Sequence, residues 1–281
     1  LRNALCSTKV LSRGKKSGII ETTKLMSLHQ LYLWVNVFCL FGPLILSFDK
    51  KVAFYKTWKA FLPACFITMA LFIVWDIGFT KIGVWGFNPD YLIGVNLFNL
   101  PIEEWMFFFT IPYACVFSYQ VIKVRLPKWN TGKHTAKVTW FLIAFSIVIL
   151  AVNITHFYTA SAFFLLLVLL VKHQVLFKKA YLGNFYVAYL ILLIPFIIAN
   201  GVLTGIDFWQ YPLVLTDPSV VHDQIVWYDN EHNLGIRLFS VPLDDVFYGM
   251  ALILMNVTLY EHFQGKEGKI TWLVSKHKTK A

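Results

Sequence analysis

One short acidic motif occurs twice in the sequence. Pro101-Ile102-Glu103-Glu104 and Pro242-Leu243-Asp244-Asp245 each place a proline, an aliphatic residue and two adjacent carboxyls at the head of an apolar run. Proline fits the first turn of a helix, where its missing N–H is not required, and acids there meet the positive end of the helix dipole. That accounts structurally for either copy alone. Ionisable groups bordering hydrocarbon are costly and tend to be functional, however, and here four come from two related helices. Carboxyls crowded in a poorly hydrated site cannot all ionise, while the helix dipole and Arg237 push the other way. A mixture of protonated and ionised carboxyls is what general acid–base chemistry requires. Asp76, with Asn200 at the matching place downstream, is a candidate for a third acid or for a hydrogen-bond partner of the Glu pair; a polar helix end reaching interfacial water explains it equally well. Trp105, Phe107 and Tyr248 lie beside the acids, and Phe108, Trp85 and Trp227 are close in sequence. Aromatic faces stabilise cations, which suits protonation of an alkene and a carbocation intermediate. For any single ring, ordinary belting at a membrane interface is the simpler explanation.

The elements that must position these groups are transmembrane helices. Of the 281 residues 58% are apolar and only 14% charged, with a mean hydropathy of +0.62, against about 25% charged in a soluble domain. This excludes a soluble enzyme, a disordered chain and a nucleic-acid-binding domain, despite the net charge of +10. A bilayer core needs ~20 mostly apolar residues per helix, and about seven stretches approach this: 28–48, 60–80, 101–122, 138–153, 157–172, 184–205 and 240–261. The fourth and fifth are short and closely joined, so a single bent hairpin is the alternative there. The predicted fold class is all-α, a polytopic transmembrane helical bundle.

Charge sorts by loop. Lys50, Lys51, Lys56 and Lys59, then Lys123, Arg125, Lys128, Lys133 and Lys137, then Lys172, Lys178 and Lys179, and finally Lys266, Lys269, Lys276, Lys278 and Lys280 all fall on one side. The loops opposite offer only Lys81 and Arg237 and hold most of the acids. By the positive-inside rule the basic side is cytoplasmic, which puts the N-terminus outside and the C-terminus inside, with the cell membrane as the expected location. Anionic lipid head groups then account for the positive charge as partners, and no nucleic acid is needed. Residues 1–25 disagree with this scheme, since Arg2, Lys9, Arg13, Lys15, Lys16 and Lys24 would lie outside. They are set apart as an N-terminal extension, a candidate for a mis-assigned start ahead of Met26.

An internal repeat organises the rest. Val84-Trp85-Gly86-Phe87-Asn88-Pro89-Asp90-Tyr91-Leu92 followed by Gly94-Val95-Asn96-Leu97-Phe98-Asn99-Leu100-Pro101-Ile102-Glu103-Glu104 is echoed by Val226-Trp227-Tyr228-Asp229-Asn230-Glu231-His232-Asn233-Leu234 and Gly235-Ile236-Arg237-Leu238-Phe239-Ser240-Val241-Pro242-Leu243-Asp244-Asp245, with one residue of slack between blocks. Upstream, Asp76 and Thr80 match Asn200 and Thr204. The matching Trp, Asn, Gly and Pro are not hydrophobic filler. Spans 1–3 and 5–7 are therefore two three-helix repeats, and span 4 as a linker helix restores the orientation, making the repeats parallel. The division is 26–123 for the first repeat, 124–156 for the linker, 157–263 for the second repeat and 264–281 for a basic cytoplasmic tail. Both acidic pairs are expected at the same depth.

Other chemistries find little support. There is no GxGxxG or Walker A sequence, no lysine in 240–261 for a retinal Schiff base, and no CxxC among Cys6, Cys39, Cys65 and Cys115. His222, Asp223, Asp229, Glu231 and His232 read as a solvated loop rather than a metal site. No cofactor and no metal are expected.

Across residues 28–263 the chain resembles the integral-membrane lycopene cyclase domain family of carotenoid biosynthesis, in its single-chain fused form. The resemblance rests on Phe98-Asn99-Leu100-Pro101-Ile102-Glu103-Glu104-Trp105, Asn200-Gly201-Val202-Leu203-Thr204-Gly205, Gly235-Ile236-Arg237, Val241-Pro242-Leu243-Asp244-Asp245-Val246-Phe247-Tyr248-Gly249 and Asn256-Val257-Thr258-Leu259-Tyr260-Glu261. It implies a cofactor-independent, non-redox cyclisation of lycopene ends to β-ionone rings, with neighbouring carotenoid enzymes as candidate partners. Carried over by position, Glu103 or Glu104 is the acid, and Asp244 and Asp245 the base or cation stabiliser. Two readings from other classes stand beside it: a transporter-like or carotenoid-binding membrane protein without catalysis, and a membrane prenyl-diphosphate enzyme.

Overall fold

The structure is a computed structural model that describes residues 29–177 and 181–278. Segment 1–25 lies outside the described residues. The helices are α1 (Leu31–Leu46), α2 (Trp58–Ile82), α3 (Ile102–Arg125), α4 (Thr135–Val152), α5 (Phe157–Val171), α6 (Tyr181–Thr204) and α7 (Leu243–Lys278). All but α1 are long and apolar enough to cross a membrane; α1 is equally apolar but has 16 residues, a length of about 24 Å at 1.5 Å per residue. These helices are hydrophobic nearly all round, as segments facing lipid on one side and protein on the other must be. The chain between the fourth and fifth spans does break, at Asn153–His156, so α4 and α5 are separate helices. The segment read as a basic tail begins as a continuation of α7, which is helical to Lys278.

The duplication is visible in space. Short antiparallel strands β1 (Trp85–Phe87) and β4 (Val226–Tyr228) pair across the middle of the molecule, Trp85 opposite Tyr228 and Gly86 opposite Trp227. Asn88 N–H donates to Ile225 O, and Asp229 N–H to Val84 O. These reciprocal bonds make Asn88 and Asp229 equivalent and put a pseudo-twofold axis between Gly86 and Trp227. The slack inferred from matching Trp85 with Trp227 is therefore not there; one constant spacing runs from the strands to the acids. Each copy then builds the same turn. Strands β2 (Asn96–Leu97) and β3 (Leu100–Pro101) pair as do β5 (Arg237–Leu238) and β6 (Val241–Pro242). Gly94 and Gly235 take positive φ (88° and 67°), and Phe98 and Phe239 do the same (54° and 57°). At the axis Gly86 has no alternative, since a Cβ there would sit 2.3 Å from Cζ2 of Trp227.

Helix packing follows the same symmetry. In each repeat the first helix lies along the third, α1 on α3 and α5 on α7. The second helix of each repeat also packs on the third helix of the other, α2 on α7 and α6 on α3. The core between them is dominated by aromatic and branched side chains, among them Phe54, Phe61, Phe72, Tyr119 and Tyr260. Linker α4 packs outside, on α5.

Candidate active site

Neighbouring residues on a helix point about 100° apart, so the two acids of a pair cannot face the same way. In α3, Glu103 turns to the preceding loop, where its Oε1 accepts the Ile93 N–H at 2.6 Å. Asp244 does the equivalent in α7, accepting from Leu234 N–H at 3.1 Å and from the Thr159 hydroxyl at 2.5 Å. These two acids tie each loop to its helix. The second acids, Glu104 and Asp245, point inward and line a common cleft of about 820 Å³, a volume that includes its open mouth. The cleft runs between α3, α6 and α7 beneath the β1–β4 ladder, and Asp76, Asn200, Phe107 and Tyr248 also border it.

Each inward acid is held by a tyrosine from the first helix of its own repeat. Tyr32 donates to Glu104 Oε2 at 2.5 Å, and Tyr158 to Asp245 Oδ1 at 2.5 Å. Beyond that the halves differ. Asp245 also accepts from Asn200 Nδ2 at 2.6 Å and from the Tyr228 hydroxyl at 3.0 Å, so three donors converge on it. Burial and then the Asp245 charge push the Tyr228 phenol well above its usual pKa, which keeps it a donor. In the first repeat the place of Asn200 is taken by Asp76. Its Oδ1 accepts from Trp85 Nε1 and from Thr80 at 3.3 Å. Its Oδ2 is buried without a donor, and Asp76 and Glu104 border the same cleft. Carboxyls sharing a buried cleft repel when both are ionised, which favours a proton on one of them.

Aromatic rings enclose this end of the cleft. Tyr248 meets Trp75 edge-on at 5.1 Å and Tyr158 at 5.7 Å, and Trp85 meets Tyr158 at 5.1 Å. Phe107 lies 6.3 Å from Tyr32. Two residues singled out from the sequence stand elsewhere. Trp105 is turned out of the cleft; its Nε1 donates to Leu97 O at 3.3 Å and its ring stacks on Phe98. Arg237 is buried but makes no ion pair with any acid among the described residues. It donates to Ser240 O at 2.7 Å and to Asn230 Oδ1 at 3.0 Å, clamping its own loop. Burial lowers its pKa, partly offset by Tyr228, Asp245 and Asp244.

Tyr32, Tyr158 and Tyr228 belong to the constellation although the sequence motifs did not single them out. Leu31-Tyr32 and Phe157-Tyr158 stand at matching places in α1 and α5, so carrying the repeat back into the first helices would have found the pair. Tyr228 sits inside the repeated loop, with Phe87 as its counterpart.

Comparison with known proteins adds the family. No curated protein and no solved structure matches the chain. A family model described as lycopene cyclase matches residues 29–122 and 155–263, that is α1–α3 and α5–α7, leaving out α4. These matches span well over half of the chain, which belongs to the lycopene cyclase family and is a multi-pass membrane enzyme of carotenoid cyclisation.

Proposed function

We propose that the protein is a lycopene β-cyclase that works by proton addition and proton removal within the cleft. The observation that carries this reading is the contrast between its two halves: Glu104 shares the cleft with Asp76, whose Oδ2 is buried without a donor, facing an Asp245 that already accepts three donors. Glu104, with the Asp76 carboxyl in the same cleft, acts as the acid. It protonates the terminal double bond of the polyene and leaves a tertiary cation. The next double bond attacks that cation and closes a six-membered ring, and the cation moves onto the ring. Asp245, whose three donors suit the ionised form, takes a ring proton and restores a double bond. One proton enters and one leaves, so the formula is unchanged and no redox cofactor is consumed.

The rings of Trp85, Tyr158 and Tyr248 serve the intermediate. A cation over an aromatic face gains about 0.5–2 kcal/mol, and a water-poor cleft keeps hydroxide and water from trapping it. Glu103 and Asp244 act as positioning residues that hold the loops over the site. We read 26–123 and 157–263 as the two repeats, with 124–156 as their linker. The excess of lysine in the 49–59, 123–137 and 172–183 loops supports a cytoplasmic basic side, an inside C-terminus in the cell membrane, and a cleft near the outer face.

Expression in a lycopene-accumulating host tests the reading. Cyclic carotenes with β-ionone rings are expected, and membranes assayed in deuterated water should yield product carrying one deuterium per ring. Lycopene persisting unchanged, with the protein present in the membrane, would leave only binding or transport. Rings formed without deuterium would remove the carboxyl as proton source.

A further inference from the structure

The cleft lies on one side of the pseudo-twofold axis, and the equivalent groove on the other side is filled. Matching the repeats through Glu104 and Asp245 pairs Phe108 of α3 with Gly249 of α7. Matching through Asp76 and Asn200 pairs Cys65, Thr68 and Phe72 of α2 with Tyr189, Leu192 and Phe196 of α6. Between α2 and α3 the matching side chains are packed away: Cys65, Thr68 and Phe72 are each 0% exposed and Phe108 is 1% exposed. Phe72 meets Phe108 at 6.1 Å, and the Cys65 thiol rests 3.8 Å from Phe108 O. Between α6 and α7, Leu192 and Phe196 are only half-buried and border the cleft. Gly249 contributes no side chain there. A Cβ on it would lie 3.3 Å from the Tyr189 hydroxyl oxygen and 3.6 Å from Phe196 Cε2, so a larger side chain would have to occupy the cleft itself.

We propose that the enzyme has a single polyene groove, that of the second repeat, kept open by Gly249 and denied to the first repeat by Phe108, so that it processes one end group per binding event. This rests on the cyclase reading above. Both inward carboxyls, Glu104 and Asp245, sit at this one cleft. It therefore takes one end of a long polyene and leaves the remainder among the lipids. A substrate with two reactive ends has to leave, turn round and enter again. Duplication has produced two carboxyl arms around one bound end, not two sites for two ends.

The test uses the full chain in membranes, with isotopically labelled lycopene and a ten-fold excess of unlabelled monocyclic carotene. A single groove predicts labelled one-ring product released into the membrane, and a two-ring product whose label is diluted about ten-fold. Product that stops at one ring also supports it. Two-ring product with undiluted label would overturn it, because both ends would have reacted within one encounter. Variants give an independent reading: Gly249→Ala is expected to cost a few-fold in rate, and Gly249→Leu at least ten-fold, at matched membrane protein and melting temperature. Full activity in Gly249→Leu, with its fold intact, would equally overturn the proposal. If wild-type protein forms no ring at all, the cyclase reading fails and not the groove.

Discussion

Glu103 and Glu104 are adjacent and chemically identical, yet they face different surroundings, and substituting each by glutamine separates them. Glu104→Gln keeps the size of the side chain and an acceptor for the Tyr32 hydroxyl, which lies 2.5 Å from Glu104 Oε2. It removes only the proton that the carboxyl could deliver. Loss of a positioned general acid costs roughly 10²–10⁴-fold, which is about 3–5 kcal/mol in the barrier at ~1.4 kcal/mol per decade. Glu103→Gln keeps the acceptor that Ile93 N–H uses at 2.6 Å, changing a charge-assisted bond to a neutral one. The difference is about 1 kcal/mol, felt in stability, with the cyclisation rate within about five-fold of wild type at that magnitude. The assay is the ratio of cyclic to linear carotene extracted from membranes holding equal amounts of each variant. The reasoning is refuted if Glu103→Gln abolishes rings at normal protein level while Glu104→Gln still makes them.

Three further substitutions probe other parts of the argument. Tyr228→Phe removes one of three donors to Asp245; a hydrogen bond to a charged group is worth about 1.5–3 kcal/mol, so cyclisation should fall roughly ten-fold or more, and an unchanged rate would discount that donor. Gly86→Ala forces a Cβ to within 2.3 Å of the Trp227 ring. Overpacking of this kind costs about 1–3 kcal/mol, and a lower melting temperature of the detergent-solubilised protein is the expected result; an unaltered transition would place the Gly86–Trp227 crossing elsewhere. Trp105→Phe alters a ring outside the cleft that donates to Leu97 O. Its product profile should match wild type, and a changed rate at equal protein would restore Trp105 to the site.

How the acids divide their work was only half legible in the sequence. Their presence in pairs, their place at helix starts and their repetition are local facts, since Pro101 and Pro242 each open an apolar run that can only be a helix. Which member of each pair faces the cleft depends on how α3 and α7 are rotated about their own axes. That rotation is set by partners outside each helix: Ile93 and Leu234 in the preceding loops capture the first acids, and Tyr32 and Tyr158 on other helices the second. Trp105 and Arg237 bond to their own loops instead, because nearness in sequence says nothing about which way a helical or loop side chain turns.

Hydropathy, loop charge and the double motif determined by themselves that this is a duplicated bundle of apolar helices with carboxyls at one end, because helix formation in lipid needs only apolar residues over a sufficient length. Tertiary structure alone decided that Gly86 crosses Trp227, that three tyrosines serve two of the acids, and that one of two equivalent grooves is open. Those features arise from contacts between segments separated in the chain, 72 residues for Tyr32 with Glu104 and 87 for Tyr158 with Asp245, and a glycine in one repeat at the place of a phenylalanine in the other is enough to open one side and fill the other.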